Sequence, residues 1–260
     1  MKRPKSDYAI QTVANALTLL ESFHEDEDLG VTELSRRLGL HKNNVFRLLA
    51  TLEERGYVEQ VADRYRLSVR CLELGHAFVR GRRLLREAQP ILERLAWDAG
   101  EAVHLGVLSE FDVVHLAGEQ PDQLLLAGLR VGRRLPAHCT ALGKVLLAFA
   151  SEPTREAYDR ERASPGRLAA RTPATLVDRD KLFEHLRGVA VQGFALDLEE
   201  CERGVACAAA PVLDGTGRLV AAVSASGPVT RLDEGALLRD VAPRVVAAAE
   251  RLSFLLGRAA

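Results

Sequence analysis

The chain has 260 residues, 47% of them hydrophobic and 27% charged, and a formal net charge of −1. This length buries one large core or two modest ones, and the near-neutral balance argues against a surface that is basic throughout. No stretch approaches the roughly 18 uninterrupted apolar residues of a membrane helix, and MKRPKSDYAIQ lacks the apolar core of a signal peptide, so a cytoplasmic protein with no membrane partner is expected.

Residues 8–23 predict a first helix, with Ile10, Val13, Leu17 and Leu20 on one face, and HEDED (24–28) reads as a solvated loop. VTELSRRLGL (31–40) predicts a short helix that packs through Leu34, Leu38 and Leu40, with Thr32 as its cap, Glu33 in its first turn and Gly39 at a tight turn. In HKNNVFRLLATLEERG, Val45, Leu48, Leu49 and Leu52 fall at i, i+3, i+4 and i+7, one apolar stripe of an α-helix that Gly56 ends. The opposite side carries Asn43, Arg47 and Ala50, with Lys42 and Asn44 at the helix start. Short amides and cations are the groups that hydrogen-bond base edges and phosphates. The pattern is a helix-turn-helix with Asn43–Arg55 as recognition helix, and Tyr57 to Leu67, broken at Ala62-Asp63-Arg64, reads as a β-hairpin wing. Asn43, Asn44 and Arg47 are the expected base readers, while Lys42 and the wing-tip Arg64 are expected to meet phosphate or the minor groove. Seven Lys/Arg against four Asp/Glu in residues 36–66 concentrate positive charge at the motif. An amphipathic helix pair inside any α-rich domain gives the same stripes, and on the motif alone that alternative stays open.

Cys71, Leu72, Leu74 and Phe78 begin further helical structure, and the basic run RGRRLLRE leads into Leu85, Ala88, Leu92, Leu95 and Ala99 at helical spacing. Pro90 predicts a kink or a fresh helix start. The expected organisation is therefore a DNA-binding domain over 1–67, a linker helix region over 68–89 and a second domain over 90–260. From Glu101 the period changes: AVHLGVLS and DVVHLAGE read as paired strands, followed by a third, LLLAGLR (124–130). Helices are predicted over 140–150, 153–161 and 178–191 and from Asp233 to Leu256, and strands over 193–197, 205–214 and 218–228. The second domain is thus α+β, an antiparallel sheet flanked by helices.

A hairpin of VACAAAPVLD and RLVAAVSAS turning at Gly215-Thr216 puts Cys207 opposite Ser224 and Val205 opposite Ser226. Sliding the turn by one residue in each strand keeps Cys207, Ser224 and Ser226 on one face, while Ala206, Ala208 and Val223 share the other and suit packing against a helix. One thiol and two hydroxyls on a small apolar surface suit a compact polar ligand, or they simply fill space beneath a loop. The four cysteines form no CxxC pair and are expected as reduced thiols. Asp197, Cys201 and Cys207, with His138 and Cys139, are zinc-ligand types, but their spacing matches no recognised pattern, so no metal and no cofactor is expected. His104 and His115 read as structural residues of the first hairpin.

RLLATLEERGYVE (47–59), PAHCTALGKVLLAF (136–149), GFALDLEECERGVACAAAPVLDGTG (193–217) and SASGPVTR (224–231), in this order and spacing, resemble the IclR family of transcriptional regulators over about residues 10–255. The resemblance implies a winged helix-turn-helix domain joined by a helix to a GAF-like effector domain. It further implies a homodimer or homotetramer on double-stranded operator DNA, with most relatives acting as repressors and some as activators. By resemblance, a small organic-acid effector would be bound by Asp197, Cys207, Ser224, Ser226 and the loop at Ala141 and Leu142. The chain departs from relatives specific for small keto acids, which can carry Gly-Ala where it has Ala141-Leu142. Backbone N–H groups at the start of the GKVLLA helix suit a carboxylate.

Three functions compete on this reading. The first is a ligand-responsive transcription factor. The second is an enzyme using Cys207 or a metal-bound water near Asp197, which the absence of GxSxG and HExxH motifs disfavours. The third is a DNA-binding protein whose second domain only oligomerises.

Overall fold

The computed structural model describes residues 9–23, 28–80, 82–121, 131–163 and 168–258. The chain divides into two units, Met1–Gly81 and Arg82–Ala260, so the division falls inside the segment expected to join the domains.

The first unit runs α1 (Gln11–Glu21), β1 (Leu29–Gly30), α2 (Val31–Leu38), α3 (Lys42–Glu54), β2 (Val58–Val61), β3 (Arg64–Leu67) and α4 (Val69–Arg80). Val45, Leu48, Leu49 and Leu52 of α3 are the buried stripe that the spacing predicts, packed with Leu34 of α2 and Leu19 of α1. Full burial of such side chains is worth roughly 1.5–3 kcal/mol each. Gly39 closes α2 in the left-handed region at φ +64, where a side chain would be strained, and lets Leu40 N–H reach the Ser35 carbonyl at 3.2 Å. The wing turns at Ala62-Asp63, and β3 also pairs with β1, a strand too short to announce itself in the sequence.

Two local readings change. Helix α2 starts at Val31 with Gly30 as its N-cap, so Thr32 lies inside the first turn and does not cap it. On α1 the stripe Ile10, Val13, Leu17 faces outward at 67%, 52% and 54% exposure. The face turned to the core is instead Ala16, Leu19, Leu20 and Phe23, a second stripe at i, i+3, i+4 and i+7. The helix has two apolar faces, and periodicity alone does not say which one its own domain covers.

The second unit opens with α5 (Arg83–Ala99), which runs through Pro90 without starting afresh there and buries Leu85, Ala88, Leu92 and Leu95. Leu85 is thus a core residue of this unit. The strands are β4 (Ala102–Ser109), β5 (Asp112–Glu119), β6 (Arg134–Pro136), β7 (Ala195–Leu198), β8 (Val205–Leu213) and β9 (Leu219–Pro228). They form one antiparallel sheet in the order β6-β5-β4-β9-β8-β7. The strand expected over 124–130 lies outside the described residues. Helices α6 (Ala141–Ala148), α7 (Glu152–Tyr158), α8 (Arg179–Gln192), the short α9 (Glu234–Ala236) and α10 (Ala242–Leu255) complete the unit.

Alternation sorts the sheet into two faces. Ala206, Ala208, Ala210, Val223 and Ala225 pack against α5 and α10, the helix-facing role expected of Ala206, Ala208 and Val223. Ala195, Ala209 and Ala222 pack against α6 and α8 on the other side. Small side chains on both faces let helices approach closely on either side of the sheet.

Candidate functional site

The face of α3 opposite its buried stripe is open: Lys42, Asn43, Asn44, Arg47 and Ala50 are all exposed. Asn43 N–H donates to His41 Nδ1 at 3.4 Å, the cap of this helix. Arg64 behaves differently. It stands at the start of β3, ion-paired to Asp28 and, at 3.3 Å, to Glu33, and Asp28 holds its guanidinium pKa above the ordinary value. The sequence offers no sign of this, because the partners lie more than 30 positions away.

In the second unit a cavity of about 40 Å³ lies between the sheet and α6. Its walls include Ala141, Leu142, Asp197, Cys207, Ser224 and Ser226, so all six residues expected to meet an effector are brought together. Their register differs from the expected one. Cys207 pairs with Ser226, Val205 with Pro228 and Ala209 with Ser224. The hairpin loop is longer than a turn at Gly215-Thr216: the Asp214 carboxylate accepts from Thr216 N–H, Thr216 hydroxyl and Arg218 N–H at 2.9, 2.6 and 3.1 Å. The offset is two residues, so the three side chains keep their common face.

Asp197, Cys207 and Ser226 thus form a row across three adjacent strands, continued by Ala102, while Ser224 faces His104 one step along. His104 and His115 also line the cavity, their rings 4.8 Å apart, as do Thr140, Cys201 and Glu202. The sequence gives no signal for these histidines in the site, because the pairing of β4 with β9 joins segments more than a hundred residues apart. Thr140 caps α6, its hydroxyl accepting from Gly143 N–H at 3.1 Å. Gly143 is required by packing: a Cβ there would lie 2.2 Å from the Ala137 carbonyl oxygen. Leu142 lines the cavity and lies over Gly106 of the sheet, where an added Cβ would come within 3.1 Å of its Cδ1.

Behind the row sits a charged pair that sequence reasoning does not find. Lys144 is fully buried in α6 and its ammonium pairs with Glu200, while a network of Thr172 and Thr175 hydroxyls holds the Glu200 carbonyl. Asp197 is buried beside them, and its Oδ1 accepts from Glu200 N–H at 2.7 Å and Cys201 N–H at 3.4 Å. Desolvation pushes the Asp197 carboxyl up to about 7, with Lys144 pulling the other way and Glu200 adding to the rise. The Cys139 thiol donates to the Pro136 carbonyl at 3.8 Å, and the neighbouring Cys201 thiol together with burial raises Cys139 far above its ordinary value. A thiol held protonated is a poor nucleophile and a poor metal ligand. His138 Nε2 lies 2.9 Å from the Ala169 carbonyl oxygen, and burial shifts this histidine's pKa down. Among the described residues no group of three or more His, Cys, Asp or Glu is placed to hold a metal ion, and no helix is long and apolar enough to cross a membrane.

Comparison with known proteins accounts for both units. Residues 12–62 match the IclR helix-turn-helix domain, and residues 76–254 match the domain described as "Bacterial transcriptional regulator IclR C-terminal". The chain is 36% identical over 231 residues to the HTH-type transcriptional regulator XynR of Escherichia coli K12, covering 88% of this chain and 90% of that protein. It is 31% identical over 253 residues to the transcriptional repressor IclR of the same organism, covering 95% and 90%. Its fold is similar, at a TM-score of 0.79 and 25% identity over 94% of this chain and 98% of the other, to an IclR homolog from Microbacterium hydrocarbonoxydans complexed with 4-hydroxybenzoate. The chain belongs to the IclR family of bacterial transcriptional regulators, proteins with a DNA-binding helix-turn-helix and a C-terminal effector domain that are not enzymes.

Proposed function

We propose that this regulator represses transcription from operator DNA and that a small organic acid, bound in the cavity between α6 and the sheet, controls its operator affinity. The observation that carries the reading is the row Asp197, Cys207, Ser226, with Ser224 beside it, facing Ala141 and Leu142 at the start of α6. Hydroxyl, thiol and carboxyl groups converge there, with His104 and His115 beside them and Leu135, Ala141, Leu142 and Val205 as the apolar part of the wall, a few convergent polar groups of the kind a ligand site carries. The α6 N-terminus supplies backbone N–H groups and the positive end of a helix dipole for the carboxylate. Asp197 then serves as a neutral carboxyl donor or as acceptor for a ligand hydroxyl. The 4-hydroxybenzoate complex of a relative supports the ligand class, and the relative named a repressor supports the sign.

A cavity of about 40 Å³ holds one or two water molecules. An effector of benzoate size therefore needs Leu142 to swing away, whereas a two- or three-carbon acid needs a smaller adjustment. On the DNA side, Asn43, Asn44 and Arg47 read bases and Lys42 contacts phosphate; Arg64 reaches phosphate only by leaving Asp28 or while still bridged to it.

The protein acts as a homodimer or a dimer of dimers in the cytoplasm, where operator DNA is. Ile10, Val13 and Leu17 of α1 with Val69, Leu72 and Phe78 of α4 give each DNA-binding unit exposed apolar surface for a second copy to cover. A thermal-shift screen of short keto and hydroxy acids and 4-hydroxybenzoate, followed by operator titration with and without the acid that stabilises, tests the proposal. A stabilising acid that changes operator affinity is expected. Binding without any change in operator affinity would leave the second domain an oligomerisation module.

A further inference from the structure

Phe46 is the one large apolar side chain on α3 that the domain core does not take, and it is 56% exposed. It does not stand apart from the reading face. Asn43, Phe46, Arg47 and Ala50 recur at i, i+3, i+4 and i+7, a continuous ridge along one side of the helix, and all four are exposed. The same spacing carries base contacts in other recognition helices seated in the major groove. Flanking residues fit the remaining roles, Lys42 one turn before Phe46 for phosphate and Arg47 beside it for a guanine edge.

A phenyl ring on that ridge gains by burial only against an apolar group. Base edges in the major groove are hydrogen-bond donors and acceptors, with one apolar projection, the C5-methyl of thymine. We propose that Phe46 is a specificity-determining residue that packs on a thymine methyl, with Ala50 flanking it, so that each recognition helix demands a thymine at one position of its half-site. This rests on the DNA-binding reading of α3 and adds to it a base that the polar residues do not select.

In the test, full-length protein first selects its own sites from a randomised duplex pool. Each thymine of the selected site is then replaced by deoxyuridine, which removes only the methyl group, and Kd is measured by fluorescence anisotropy for wild type, Phe46→Ala and Phe46→Leu. At one thymine per half-site, wild type is expected to bind the deoxyuridine site about fourfold more weakly, the worth of one buried methyl group. Phe46→Ala should bind both sites alike, and Phe46→Leu should keep part of the preference. The assignment is overturned if Phe46→Ala keeps the full methyl dependence, or if wild type shows none at any thymine. A light-scattering mass that falls for Phe46→Ala while methyl dependence persists would place the ring against another protein chain and equally overturn it. Enrichment of no sequence at all would instead refute the reading of α3 as a base-reading helix, a distinguishable failure.

Discussion

The reading face of α3 and the cavity beneath α6 make opposite use of polar residues. On α3 the polar groups come from one continuous stretch, project into solvent, and leave the core to Val45, Leu48, Leu49 and Leu52 on the other side. In the cavity they come from β4, β5, β7, β8, β9 and the residue that caps α6, and several are buried, with Asp197 at 5% exposure and Lys144 of α6, behind the row, at 0%. A side chain on the first face is replaceable without cost to the fold, since exposed polar groups change stability by little. Buried ionisable groups are not, because desolvation, hydrogen bonding and packing are coupled there. Changes at α3 should therefore alter binding alone, and changes at the cavity should alter stability and binding together.

The largest effect expected is at Lys144. Lys144→Met leaves Glu200, a carboxylate only 15% exposed, uncompensated and should cost up to about 3–5 kcal/mol, whereas Lys144→Met with Glu200→Leu should recover most of it. Thermal melts of the full chain check this, and a single variant as stable as wild type would erase the contrast between the two regions.

Asp197 comes next, and its effect depends on pH. Its folded-state pKa, about 7, lies above its ordinary 3.8, so the folded protein holds a proton that the unfolded chain has released between those values. Stability from this group is full below pH 3.8 and is lost as pH rises toward 7. Asp197→Asn should abolish that loss and make the variant more stable relative to wild type at pH 8 than at pH 4, by up to about 4 kcal/mol. Melts in a pH series check the sign; a difference independent of pH would mean that Asp197 is charged throughout.

Much of this contrast is legible in the sequence, for physical reasons that differ between the regions. The stripe of α3, the turn at Gly39 and the β4–β5 hairpin rest on local periodicity and turn chemistry, and the structure places them where the spacing predicts. The common face of Cys207, Ser224 and Ser226 withstands a register error of two residues because side chains alternate. The Lys144–Glu200 pair and the two histidines are not legible, since their neighbours are set by sheet order and not by sequence distance. The outward stripe of α1 is legible as a stripe but not as an exposed one.

On the DNA face the effects are smaller and confined to affinity. Arg47→Ala should weaken operator binding by about 1–3 kcal/mol and relax the preference for guanine at one position, with an unchanged melting temperature. Arg64→Ala should weaken it less than Arg47→Ala, since Asp28 and Glu33 already hold that guanidinium. Gel-shift titrations of the two variants check the order, and a larger loss for Arg64 would mean that the ion pair opens on DNA.

Linkage between an acid in the cavity and operator affinity is tested by Ser224→Ala with Ser226→Ala, which removes two hydroxyls from the row without adding bulk. Calorimetry with the acid that stabilises the wild-type protein, paired with operator titrations, reads both ends of the linkage. Linkage through this row predicts weakened acid binding, unchanged operator affinity without the acid, and a proportionate loss of the acid's effect on DNA, whose full coupling is typically about 1–3 kcal/mol. Normal acid binding by the double variant would contradict it and put the ligand on another face of the sheet.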